Sequence, residues 1–132
     1  MPENPTDKHP RPDFPQQDQE HPGWTGPMDP PPDHGEDSYE GSGLLQDHKT
    51  VVTGGDSGIG RAVALAYARE GADVLFTYLP EEGQEAAETA RLVEDAGRKA
   101  VAVPCDIREE EQCHRLVERA VAEFGRIDVL VN

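Results

Sequence analysis

The chain has 132 residues, a formal net charge of −15 and 30% charged side chains, a size that suggests one domain. So acidic a balance argues against binding nucleic acid or an anionic membrane through bulk electrostatics, although backbone donors can still hold a phosphate locally. The amino terminus lacks an apolar signal-like core, and the longest apolar runs fall far below the roughly 18 residues that span a bilayer, so a cytoplasmic protein with no membrane partner is expected.

Residues 1 to 43 hold ten of the twelve prolines, and ten acidic residues against two basic ones, a net of −8. With almost no aliphatic side chains, this stretch cannot bury enough apolar surface to offset the entropy of ordering it. A Pro-rich, acidic, disordered tail is expected, with polyproline II around Pro30, Pro31 and Pro32. Its aromatics are Phe14, Trp24 and Tyr39, and the alternative is an arm that docks on a neighbouring subunit through Trp24 or Tyr39. From residue 44 to 132 the chain is rich in Val, Leu and Ala and can build a core, which places the domain boundary at 43/44.

Residues 49 to 53, Lys-Thr-Val-Val-Thr, are a β-branched run ending at glycines and predict a strand. A helix follows over 58 to about 70, with Ile59, Val63, Ala66 and Tyr67 at helical spacing and Gly71 as its stop. A second strand covers 73 to 78 and ends before Pro80. The second helix, 81 to 96, is acidic at its start as the helix dipole favours, with an apolar face of Ala86, Ala90, Val93 and Ala96. Residues 99 to 104 predict a third strand. The third helix, 109 to 124, sets Cys113, Leu116, Val117, Ala120, Val121 and Phe124 on one stripe. A fourth strand covers 127 to 131, and Val129 and Val131 are expected to expose apolar surface at its outer edge. Strands alternating with helices across short connections predict an α/β chain, a Rossmann-like doubly wound parallel sheet of about four strands in the order 3-2-1-4.

Between the first strand and the first helix lies Thr53-Gly54-Gly55-Asp56-Ser57-Gly58-Ile59-Gly60. Gly54 allows a sharp turn at the strand end, Gly58 allows the backbone to approach a pyrophosphate, and Gly60 allows the helix to pack closely on the strand. Amides at the helix start then face the phosphates, and the helix dipole favours their charge. Glycine-rich turns are common, but this one follows a strand, opens a helix and sits in the first βαβ unit, the setting that dinucleotide binding requires. The expectation fails if the loop lies away from the carboxyl end of a parallel sheet or if those helix-start amides are buried against protein atoms.

The spacing is T-G-x-x-x-G-x-G, and the run VVTGGDSGIGRAVALAYAREGADV resembles the opening of the short-chain dehydrogenase/reductase family. Cys105-Asp106-Ile107 resembles that family's Asp motif, and Leu130-Val131-Asn132 resembles the start of its Asn-Asn-Ala-Gly motif. The leader DHGEDSYEGSG resembles the extension of a subgroup named glucose or general-stress dehydrogenases. The resemblance implies an NAD(P)-dependent oxidoreductase acting on alcohol and carbonyl groups, with homo-oligomeric full-length relatives. It implies that Thr53, Gly54, Ser57, Gly58, Ile59 and Gly60 line the pyrophosphate and ribose, that Tyr78 ends the second strand beside the cofactor, that Asp106 accepts from the adenine amino group and that Ile107 packs on the adenine face. Asp106 and Glu109 also have the spacing of a helix capping box, and Ile107 could be plain core.

An NAD enzyme of this fold usually ends its second strand with a carboxylate for the ribose 2′-OH. Thr77, Tyr78 and Leu79 stand there instead. Arg61 is a nearby cation, or else a solvent-facing helix residue, while Glu81 and Glu82 argue the other way. The balance leans slightly to NADP over NAD.

The family's catalytic Y-x-x-x-K pattern does not occur: four residues after Tyr39, Tyr67 and Tyr78 stand Gly43, Gly71 and Glu82. The chain therefore reads as an N-terminal cofactor-binding fragment with no catalytic residues, inactive alone and either marginally stable or oligomeric. The rivals are a complete non-catalytic dinucleotide-binding module and a methyltransferase using S-adenosylmethionine. No metal site is expected: His9, His21, His34 and His48 read as exposed loop residues, His114 as a helix residue, Glu109-Glu110-Glu111 as a solvated helix start, and Cys105 and Cys113 as two small apolar side chains.

Overall fold

A computed structural model describes residues 4–132 apart from His9 and Pro22. The chain divides into two compact units, Met1–Pro32 and Asp33–Asn132. The boundary thus falls eleven residues earlier than the composition suggested. In the first unit, a 3₁₀ turn spans Pro5–Lys8. Gln17 bridges to Asp29, donating to its carbonyl at 2.5 Å and accepting from its amide at 2.9 Å, and Gln19 accepts from the Trp24 amide at 2.6 Å. Phe14 and Trp24 are both exposed.

The second unit contains β1 (Lys49–Val52), α1 (Gly58–Arg69), β2 (Asp73–Tyr78), α2 (Gly83–Asp95), β3 (Ala100–Pro104), α3 (Glu110–Phe124) and β4 (Val129–Val131). All strand pairs are parallel, and the sheet order is β3-β2-β1-β4 as expected from right-handed crossovers. Val51 lies opposite Leu75 on one side and Leu130 on the other. A residue alternation of two sends successive side chains to opposite faces. Val52, Val74 and Phe76 meet Ala64 and Ala68 of α1 and Ala86 and Val93 of α2. Val51, Leu75 and Val101 meet Leu116 and Ala120 of α3. Each fully buried Val, Leu or Phe contributes roughly 1.5–3 kcal/mol. The amino ends of the strands are tied by charge: Lys49 Nζ to Asp73 at 2.5 Å, Arg98 to Asp73 at 3.1 Å, and the Lys49 amide to Asp128 at 2.8 Å.

Several local expectations are corrected. The second helix begins later, because Pro80–Glu82 forms a separate 3₁₀ turn. The buried side of α1 is Arg61, Ala64, Leu65 and Ala68, and Ile59 is 85% exposed. So many apolar residues occupy α1 that its period does not select one face. On α3, Val117 and Val121 are exposed while Leu116 and Ala120 are buried. On β4, Leu130 is the exposed residue at 64%, and Val131 packs against the α1–α2 side.

Residues 33 to 47 bind the end of α1. Arg69 donates to the carbonyls of Gly35 and Tyr39, each at 2.5 Å, and of Glu36 at 2.6 Å. Glu70 caps α1 and is only 5% exposed. It accepts from the Tyr39 hydroxyl and from the amides of Ser42 and Leu44, both at 2.9 Å. His34, expected in an exposed loop, is buried, with Nδ1 at 3.0 Å from Glu36. The expectation for His9 lies outside the described residues.

Candidate functional site

The glycine loop, residues 53 to 57, sits at the carboxyl end of β1, between the two directions in which the sheet grows. At such a switch point the neighbouring crossovers run to opposite faces and leave a crevice. Here α1 and α2 cover one face and α3 the other, so the crevice opens beside β1 and β4.

The loop is fixed by the strands around it. The Thr53 amide donates to the Val131 carbonyl at 2.9 Å, and the Thr53 hydroxyl to Asn132 Oδ1 at 2.9 Å. Thr77 of β2 takes both following amides: Gly54 donates to its hydroxyl and Gly55 to its carbonyl, each at 3.0 Å. Those two amides are therefore spent on the fold. In the first turn of α1 the position differs, because the earliest bond along this helix is the Arg61 amide to the Ser57 carbonyl at 3.1 Å. The amides of Ile59 and Gly60 precede that bond and have no acceptor within the helix. Ser57 is the N-cap residue in extended conformation, and its side chain makes no cap bond.

The glycines divide their tasks differently from the sequence expectation. A Cβ on Gly60 would lie 2.0 Å from the Gly54 carbonyl oxygen, so Gly60 packs α1 against the loop itself. Gly55 makes the close approach to the strand, where a Cβ would lie 2.5 Å from that of Phe76. Gly54 and Gly58 turn with φ of 62° and 53°, and a Cβ on either would meet nothing within 4 Å. The space a Cβ on Gly58 would fill is thus empty, which lets a ligand approach the backbone at that point.

Arg61 is neither solvent-facing nor aimed at a ribose. It is 5% exposed and paired with Glu85 of α2 at 2.6 Å. Its Nε donates to the Asp56 carbonyl and to Thr89 Oγ1, both at 3.0 Å. Its Nη2 donates to the Asp56 carbonyl at 2.7 Å and to the Glu85 carbonyl at 3.0 Å.

At the end of β2, Tyr78 is half-buried and packs on the α1–α2 core, and its carbonyl accepts from Cys105 at 2.9 Å. Glu82 accepts from the Leu79 amide at 3.1 Å. Burial, then the neighbouring Asp56 and Glu81, push its carboxyl above the usual carboxylate range. Beyond β3, Asp106 grips Arg108 with Oδ2 at 2.6 Å from the guanidinium and Oδ1 at 3.0 Å from the Arg108 amide. Arg108 accordingly holds the Asp106 carboxyl down at about 2. The capping box does not form: the N-cap of α3 is Glu109, which makes no side-chain cap bond. Ile107 is 49% exposed, so it is not plain core. With Val51, Thr53, Val117, Leu130 and Asn132 it lines an open cavity of about 260 Å³.

The fold thus brings Thr53, Gly54, Ser57, Gly58, Ile59 and Gly60 to one edge, with Tyr78, Asp106 and Ile107 at the ends of the adjoining strands. Gly55, Thr77, Glu85 and Thr89 were not anticipated. Thr89 left a signal, being the polar residue between Ala86 and Val93 on the buried side of α2.

Residues 48–132 match the family model for short chain dehydrogenase. The chain belongs to the short-chain dehydrogenase family. Among its relatives is an uncharacterized oxidoreductase of Bacillus subtilis, YhxD, 56% identical over 118 residues, covering 89% of this chain and 40% of YhxD. General stress protein 39 of the same organism is 44% identical over 111 residues, covering 84% of this chain and 38% of its own length. The chain therefore spans about two-fifths of these curated relatives. A solved family member from Burkholderia cenocepacia in complex with NADP superposes with a TM-score of 0.64 at 38% identity, over 67% of this chain and 36% of that one. Another, from Mycobacterium paratuberculosis and bound to NAD, gives 0.62 at 34% identity, over 67% of this chain and 36% of that one. The two cofactors are those of the solved relatives, one bound to NADP and one to NAD. Among the described residues, no helix is long and apolar enough to cross a membrane, and no cluster of metal-ligating residues is present.

Proposed function

We propose that this chain is the cofactor-binding part of an NAD(P)-dependent oxidoreductase acting on alcohol and carbonyl groups, working in the cytoplasm as a homo-oligomer. The diphosphate lies over Ser57, Gly58, Ile59 and Gly60, the adenine against Ile107, and the adenosine ribose near Tyr78. The observation that carries this reading is Gly60, whose missing Cβ lets the first turn of α1 close onto the loop. For the Asp106 carboxylate to meet an adenine amino group it exchanges one partner, Arg108, whose side chain is largely exposed. An ion pair with one largely solvent-exposed partner is weak, so the exchange costs little. The nicotinamide, when bound, supplies or accepts the hydride. The chain's own residues bind and orient its carrier, and no catalytic residue of the family pattern is assigned to them.

With Arg61 committed to Glu85, the lean towards NADP loses the cation that supported it. What remains is a strand end without a carboxylate, facing the half-buried Glu82. The two dinucleotides are therefore expected to bind with less than about tenfold difference, roughly 1.4 kcal/mol. Calorimetric titration of the chain with NADPH and with NADH checks both claims. No heat of binding for either at millimolar concentration defeats the cofactor reading. Measurable NADPH consumption with any aldehyde defeats the assignment of no catalytic group.

A further inference from the structure

We propose that Arg61, acting through Thr89 and Glu85, is a positioning residue that aims the Ser57 amide at the bound diphosphate; this rests on the dinucleotide reading above. A guanidinium so well buried is expensive unless its donors are matched. Here Nε and Nη2 meet four acceptors: the Asp56 carbonyl, Thr89 Oγ1, the Glu85 carbonyl and the Glu85 carboxylate. The Thr89 hydroxyl also donates to the Asp56 carbonyl at 3.0 Å, so one loop carbonyl receives both Arg61 nitrogens and Thr89. These partners are 28 and 33 residues apart in the chain, which ties the loop to two helices at once.

The peptide bond turns that anchorage into aim. The Asp56–Ser57 unit is planar, and in a trans peptide the N–H points opposite to the C=O. Once the Asp56 carbonyl is drawn into the Arg61–Thr89 pocket, the Ser57 N–H is directed to the other side, away from α2. Ser57 is the N-cap residue and immediately precedes the first turn of α1. Arg61 therefore does for the cofactor what a charge on the surface could not: it never touches the ligand, and it sets the direction of a donor that does.

The test compares ligands with and without the diphosphate. Arg61→Met with Glu85→Met removes both charges together and leaves no orphaned ion, and Thr89→Val removes one donor to the carbonyl. ADP-ribose and adenosine are titrated against wild type and both variants, with amide chemical shifts of Ser57 and Ile107 followed by NMR. The expected result is a loss of at least about tenfold in ADP-ribose affinity for the double variant and about threefold for Thr89→Val, with adenosine affinity and the Ile107 response kept within about twofold. Arg61→Lys, a cation without the fork, should recover only part of the loss. Equal losses for both ligands, or an unchanged ADP-ribose affinity in either folded variant, overturn the proposal. Should the double variant fail to fold, Thr89→Val alone decides by the same ratio. Absence of ADP-ribose binding by wild type defeats the cofactor reading itself, a different outcome from an insensitive Arg61.

Discussion

Glu70 is a carboxylate at the carboxyl end of a helix, where the dipole disfavours negative charge. It persists because the Tyr39 hydroxyl, then the amides of Leu44 and Ser42, donate to it, and they hold its carboxyl at about 2, below the ordinary 4.5. The same bond raises the Tyr39 phenol. A folded value below the unfolded one stabilises the protein above the unfolded value, and that contribution is lost as pH falls through the folded one. Glu70→Gln should therefore lower the melting temperature near neutral pH, with the gap to wild type closing between about pH 4.5 and 2 in thermal scans. A gap of constant size across that range removes the charge-based account. Gly60→Ala meets a different obstacle, since its Cβ would strike the Gly54 carbonyl at 2.0 Å. Overpacking of this kind costs typically 1–3 kcal/mol. Urea unfolding should report that loss and titration should report weakened NADH binding, whereas a variant of wild-type stability and affinity contradicts the close approach. The glycine pattern made Gly60 readable from the sequence. Glu70 was unreadable, because its three donors lie 26 to 31 positions earlier.

The same distinction holds for whole elements. Every strand and α-helix of the second unit was expected from periodicity and breakers, and β2 matches at both ends. Periodicity was less informative about faces. In α1 a charged residue, Arg61, occupies the buried side while Ile59 is in solvent, because the acceptors for a guanidinium come from the loop and α2, not from α1. On the α3 side, Ile107, Val117 and Leu130 line one cavity and remain open. Leu130 lies in the strand beside β1 with its side chain exposed on the α3 side of the sheet, and exposed apolar surface of this kind invites association. The chain should self-associate as its concentration rises, and Leu130→Lys should shift the sedimentation profile towards monomer with little change in melting temperature. A monomeric wild type at high concentration argues against this. Residues 33 to 47 are the clearest departure at this scale. Composition placed most of them in a tail, yet carbonyls and amides there satisfy Arg69 and Glu70. Backbone groups carry no compositional signal, so composition alone did not show this docking.

Across the whole molecule, the sequence by itself determined the alternation of strands and helices, the glycine loop at the first turn and, through right-handed crossovers, the order β3-β2-β1-β4. These are local or nearly local properties: hydrophobic period, backbone freedom at glycine, and chirality act over a few residues at a time. Tertiary structure decided what the charged and polar groups do. It committed Arg61 to the loop carbonyl and Glu85 and gave Thr77 the amides of Gly54 and Gly55. It also drew the leader from Asp33 into the second unit. The partners of a hydrogen bond are chosen by direction and distance in space, and residues tens of positions apart acquire those only after the helices have packed on the sheet.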